Sequence, residues 1–102
     1  MIHVLAQIEL APGARAAFLH EFHQIVPLVR AEPGCIEYGA AIDAATDIPV
    51  QAPPRTDVVT IVERWADVPA LKAHLAAPHM HAYRPKVKEF VLRVELKILE
   101  PV

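Results

Sequence analysis

Between residues 58 and 65 the chain reads VVTIVERW, in which Val59, Ile61, Glu63 and Trp65 alternate with Val58, Thr60, Val62 and Arg64. A period of two is that of a β-strand, so one strand face carries two aliphatic side chains, a carboxylate and an indole in line. A carboxylate among apolar neighbours is costly unless a donor meets it, and a nearby imidazole is the obvious candidate. The next stretch, ADVPALKAHLAAPHMHAY, supplies three imidazoles and a phenol. Asp67 fits an N-cap, Pro69 fits a first helical turn, and Leu71, His74 and Leu75 then share a face. Pro78 interrupts that helix and can begin another, on which His79, Tyr83, Val87 and Phe90 recur at close to helical spacing. His79 is therefore expected to face inward, and His81, rotated from it by about 200°, to face water.

The rest of the chain supplies walls for this stretch. Ile2, Val4, Ala6, Ile8 and Leu10 alternate with His3, Leu5, Gln7 and Glu9, giving a strand with one apolar and one mixed face. Pro12 and Gly13 turn into a helix whose inner stripe is Phe18, Phe22, Ile25 and Val29, with Pro27 expected to kink its end. The EPG at 32–34 stops that helix. CIEYGAAIDA then reads as a strand with Ile36, Tyr38, Ala40 and Ile42 on one side. The connection from Asp43 to Asp57, with Pro49, Pro53 and Pro54, suits a flap or a dimer arm. Val91 to Leu99 closes the pattern with Leu92, Val94, Leu96 and Ile98 on its apolar face. The element order β-α-β-β-α-β predicts an α+β fold: a ferredoxin-like split β-α-β with helices on one face of a four-stranded antiparallel sheet. Apolar residues on both faces of several strands predict a second subunit over the other face.

Composition narrows the function. With 102 residues, 54% of them hydrophobic, residues 1–102 make a single domain with room for one small ligand. A net charge of −2 argues against nucleic acid as a partner. The apolar runs are strand-length and MIHVLAQIEL lacks the marks of a signal peptide, so no membrane span and a cytoplasmic location are expected. Cys35, the single cysteine, reads as a structural thiol. Three glycines, at 13, 34 and 39, cannot assemble a dinucleotide or phosphate loop. On one continuous helix His74, His79 and His81 diverge, so no metal site is expected unless the break at Pro78 brings them together.

Taken together, IVP at 25–27, EPGCIEY at 32–38, E-x-W at 63–65, AHLAAPHMHAY at 73–83 and the closing ILEP resemble the antibiotic biosynthesis monooxygenase family, most closely its quinol monooxygenase branch. The similarity runs along the whole chain, and AHL-x-x-PHM-x-AY is its most specific part. The resemblance implies a ferredoxin-like domain that dimerises through its sheets into an α+β barrel and oxidises hydroquinones or phenols with O2, using no flavin, haem or metal. It implies a site with His79, His74 and Glu63 as catalytic groups and Trp65, Tyr83, Tyr38 and Gln7 around the substrate. Haem-degrading relatives place an asparagine, a tryptophan and an iron-ligating histidine where this chain has Gln7, His74 and Arg84. An arginine cannot ligate iron, so haem degradation loses its support. Pro85 departs from the pattern and is expected to kink the last helix beyond Tyr83.

The implied chemistry makes a definite demand. A phenol titrating near about 10 is ionised in roughly one molecule per thousand at neutral pH, a shortfall of about 4 kcal/mol, and the anion is what reduces O2. A dry pocket with an imidazole base, oriented by Glu63, would supply that difference. The alternative from another class is a non-catalytic dimeric barrel that binds a small aromatic ligand in the same cavity.

Overall fold

The computed structural model covers Met1–Val102 and contains β1 (Ile2–Leu10), α1 (Arg15–Arg30), β2 (Cys35–Ala41), β3 (Val58–Trp65), α2 (Val68–Leu75), α3 (Pro78–Val87) and β4 (Val91–Leu99). The strands form one antiparallel sheet in the order β2-β3-β1-β4, the ferredoxin-like α+β arrangement, with the second helical region split into α2 and α3. No helix is long and apolar enough to cross a membrane.

Register is set by one apolar row. Ile2, Val4, Ala6 and Ile8 of β1 stand opposite Trp65, Glu63, Ile61 and Val59 of β3, and every one of these side chains is buried. The buried stripe of α1, Phe18, Phe22, Ile25, Val26 and Val29, belongs to the same core. A one-residue slip would turn the β1 row outward. At about 1.5–3 kcal/mol per large apolar side chain, the loss would be on the order of the whole stability of a domain this size.

The helix ends follow from local chemistry. Asp67 accepts a hydrogen bond from the Ala70 amide at 2.8 Å, capping α2 as the sequence suggested. Gly34, with φ of +83°, turns the chain out of α1, and a Cβ there would stand 2.7 Å from that of Ala70. Glycine is needed twice over, for the backbone and for the space. Neither Pro27 nor Pro85 ends its helix: α1 runs on to Arg30 and α3 to Val87. The carbonyls that these prolines leave without an amide belong to His23 and His81, both exposed residues where water can substitute.

Two strand faces differ from the alternation read in the sequence. A register shift between Cys35 and Glu37 puts Cys35 opposite Trp65 and Tyr38 opposite Glu63, and leaves Ile36 49% exposed. Ile42 lies beyond the end of β2, so only Tyr38 and Ala40 of the expected row face the helices. On β4, Val94, Leu96 and Ile98 stand opposite Ile8, Ala6 and Val4, on the helix side, yet each is about half exposed. Their row is an uncovered wall. The opposite sheet face carries Leu5, Val62 and Leu99 but also Arg93, Glu95 and Lys97, and is more polar than expected.

The connection from Asp43 to Asp57 has no regular structure and is closed at its base by its own residues. Arg55 donates to both carboxylate oxygens of Asp43, at 2.8 and 3.1 Å, and to Gln7 Oε1 at 3.0 Å. Ile48 and Val50 are exposed along it.

Candidate active site

A cavity of about 780 Å³ opens between the helix side of the sheet and α3. Ala6, Ile8 and Ile61 form part of its floor, Phe18, Phe22, Met80 and Val87 its helical walls, and Val94 and Leu96 of β4 one side. The polar groups reaching it are few: Glu63, His74, Tyr38 and Tyr83 within, and His81, Arg84 and Lys88 on exposed residues at the rim. An apolar chamber of this size with a handful of polar groups suits a one- or two-ring molecule.

Glu63 is buried, and its partner is an indole. Trp65 Nε1 donates to Glu63 Oε1 at 2.9 Å, two residues along the same strand face. This corrects the expectation of an imidazole donor, and Glu63 orients no histidine. Burial pushes the Glu63 carboxyl up to about 7, against the pull of the Trp65 hydrogen bond and with a further push from the charge of Glu32. Trp65 is itself wholly buried and does not line the cavity, so it offers no face for a substrate ring. The His74 imidazole lies 4.7 Å from it, centroid to centroid.

The imidazoles meet elsewhere. His74 Nδ1 and His79 Nε2 each lie 2.9 Å from Glu32 Oε2, both rings donating to one carboxylate oxygen. The helix break at Ala76 and Ala77 resets the helical phase, which is why two histidines that diverge on one helix converge here. Glu32, in the turn after α1, was not singled out in the sequence. The three ligand atoms lie within 4.8 Å of one another, close enough to hold a metal ion. One oxygen already satisfied by two imidazole N–H groups makes the cluster a hydrogen-bonded set, with the spacing of hydrogen bonds.

His74 is buried and lines the cavity. With Nδ1 engaged by Glu32, Nε2 has no partner in the chain, and no buried side-chain polar atom is left unpaired, so this nitrogen is open to the cavity. Burial holds the His74 pKa below the ordinary imidazole value, with Glu32 opposing and the charges of His79 and Arg84 assisting. Tyr38 packs edge-on to His74 at 5.4 Å, and burial raises the pKa of both Tyr38 and Tyr83, keeping their hydroxyls protonated donors. Burial likewise raises the Cys35 thiol, in keeping with an inert structural cysteine.

Besides Trp65, two further expected positions fall outside the cavity. His79 lines a smaller cleft with Glu21, Gln24 and Lys86 instead, because α3 turns Met80, Tyr83 and Val87 inward. Gln7 is on the other face of the sheet, held by Arg55. His81 is exposed as expected but stands at the rim, where Arg84 donates to its Nδ1 at 3.5 Å and to the Leu75 carbonyl at 2.5 Å.

The ferredoxin-like domain thus carries an apolar chamber over a buried carboxylate and a carboxylate-held histidine. The antibiotic biosynthesis monooxygenase profile matches residues 1–86, and the chain belongs to that family. It is 39% identical over 103 residues to YgiN of Escherichia coli (strain K12), described as a probable quinol monooxygenase, with 99% of this chain and 98% of that protein covered. Among solved structures, Rv0793 from Mycobacterium tuberculosis superposes with a TM-score of 0.80 at 27% identity, covering 99% of this chain and 94% of that one. PA3566 from Pseudomonas aeruginosa superposes with a TM-score of 0.81 at 24% identity, covering 99% and 93%, and shows the shared fold.

The raised Glu63 pKa has a signed consequence for stability. A carboxyl whose folded pKa of about 7 lies above its usual 4.5 favours folding at acid pH and loses that contribution as pH rises through 7. The cost of the buried charge at alkaline pH is on the order of 3 kcal/mol. Glu63→Gln keeps an acceptor for Trp65 and removes the charge. Urea denaturation should show it stabilised by about 1–3 kcal/mol relative to wild type at about pH 8.5, with that gain absent near pH 4.5. An equal effect at both pH values would contradict the assignment.

Proposed function

We propose that this protein is a cofactor-independent monooxygenase that oxidises a hydroquinone or related phenol with O2 in the cavity above Glu63 and His74. The observation that carries it is His74: a buried imidazole, fixed through Nδ1 by a carboxylate, with Nε2 free in an otherwise apolar chamber. Similarity to YgiN supports the substrate class.

The chemistry follows from the lining. A hydroquinone enters with its rings against the aliphatic and aromatic walls. His74 Nε2, neutral because of its burial, accepts the hydroxyl proton. The electron-rich anion is stabilised by the Tyr38 and Tyr83 hydroxyls, which stay protonated and donate to it. Glu63, poised about neutrality, takes up or returns the proton of the second oxygen. Electrons pass from the anion to O2 within the chamber. Hydroquinone plus O2 balances to a hydroxyquinone plus water, or to a quinone plus hydrogen peroxide, so the substrate itself is the reductant.

A second copy completes this picture. Leu5, Val62 and Leu99 on the outer sheet face favour a homodimer joined through the sheets. Sedimentation at micromolar concentration should give twice the 11.3 kDa chain mass, and a stable monomer would sink the dimer.

Oxygen uptake with a reduced naphthoquinone tests the activity. Wild type should consume O2 faster than the uncatalysed reaction, His74→Ala should lose about 10²- to 10⁴-fold, and His81→Ala, at the wet rim, almost nothing. Saturable binding of the quinone without O2 consumption would favour a ligand-binding protein instead.

A further inference from the structure

The Glu32 carboxylate sits between two compartments. On one side His74, its side chain 3% exposed, lines the cavity; on the other His79, 23% exposed, lines the cleft between α1 and α3; Glu32 between them is 11% exposed. Both rings are 2.9 Å from the same oxygen. We propose that Glu32 is the positioning residue of the base, and that His79 sets from outside the cavity how much of the Glu32 charge reaches His74. This rests on His74 as the base in the activity proposed above.

The first half follows from tautomers. A carboxylate oxygen can only accept, so His74 donates Nδ1–H to it and presents the Nε2 lone pair to the cavity. When Nε2 takes the substrate's hydroxyl proton, the ring becomes an imidazolium beside a carboxylate, and the charge that forms is neutralised where it forms. Only that one proton moves, from substrate oxygen to Nε2; the Nδ1 hydrogen remains on His74.

The second half follows from the sharing. A proton on His79 places a positive charge beside the same oxygen, so the two imidazoles compete for one negative charge. His79 opens to the outer cleft and His74 does not, so the state of the solvent in that cleft acts on the base through Glu32. The other groups facing His74 are Tyr38 from β2 and Arg84 from α3, and Glu63 from β3 lines the same cavity and feels the Glu32 charge; those facing His79 are Glu21 from α1 and Lys86 from α3; the Cys35 thiol neighbours Glu32. None of them bridges the two rings.

The two halves demand opposite effects, which a purely structural role would not produce. Imidazole NMR titration of the full chain reads the His74 midpoint without any turnover. Glu32→Gln should move it to lower pH, His79→Gln should move it to higher pH, and Glu32→Asp, which keeps the charge, should return it toward wild type. The pH profile of O2 uptake should shift in the same senses, with the Glu32→Gln plateau down by about tenfold or more, the equivalent of one charge-assisted hydrogen bond. If Glu32→Gln does not fold, Glu32→Asp and His79→Gln still decide. An unmoved His74 midpoint, movement in the same direction for the Glu32→Gln and His79→Gln variants, or opposed midpoints with an unmoved rate profile would overturn the proposal. Opposed midpoints in a wild type that consumes no O2 with any hydroquinone would instead sink the activity and leave the proton coupling standing.

Discussion

The site depends on how a carboxylate is kept in the apolar layer between sheet and helices. Glu63 stands on the inward face of β3 opposite Val4, and nothing from the helices reaches it with a hydrogen bond. Its donor is the indole two residues along, the same strand period that points both side chains inward. Burial raises the carboxyl's pKa to about 7, and the single Trp65 hydrogen bond offsets only part of that rise. The indole pairing also leaves the imidazoles free to pair with another acid.

The division of labour among the elements follows. β1 and β3 fix the floor through their apolar register, and α1 closes it with Phe18 and Phe22, the latter stacked on Tyr38 at 5.4 Å. A continuous row of rings then runs from Phe18 through Phe22 and Tyr38 to His74 and Trp65. Such a row is stiff, because each ring limits the rotamers of the next, and it holds His74 still at the cost of little polar burial. Chemistry that relies on one oriented nitrogen gains most from this rigidity.

Much of this was legible in the sequence. The strict alternation of residues 2–10 and 58–65 gave both central strands and the inward direction of Glu63 and Trp65, and Asp67 and Pro69 marked the start of α2. Alternation misled where the ladder is irregular, at Ile36 and Leu92, because one extra residue reverses every face beyond it. Helical phase misled at His79 because the inward stripe of α3 is Met80, Tyr83 and Val87, at i, i+3 and i+7, which leaves His79 at its margin, turned to the cleft beside α1. Gln7 was on the mixed face all along, and its parity pointed away from the cavity. Glu32 was hidden by its setting: an acid before Pro-Gly reads as a helix stop. The one available signal was that this turn must pass close to α2, as Gly34 does against Ala70.

A crystal structure with a naphthoquinone bound would test the central claim most directly. The account predicts the ring system inside the chamber, flanked by Tyr38 and Tyr83, with one quinone oxygen within hydrogen-bond reach of His74 Nε2 and Glu32 still bridging both imidazoles. A quinone seated in the cleft beside His79 or on the outer sheet face, with the chamber filled only by water, would contradict it.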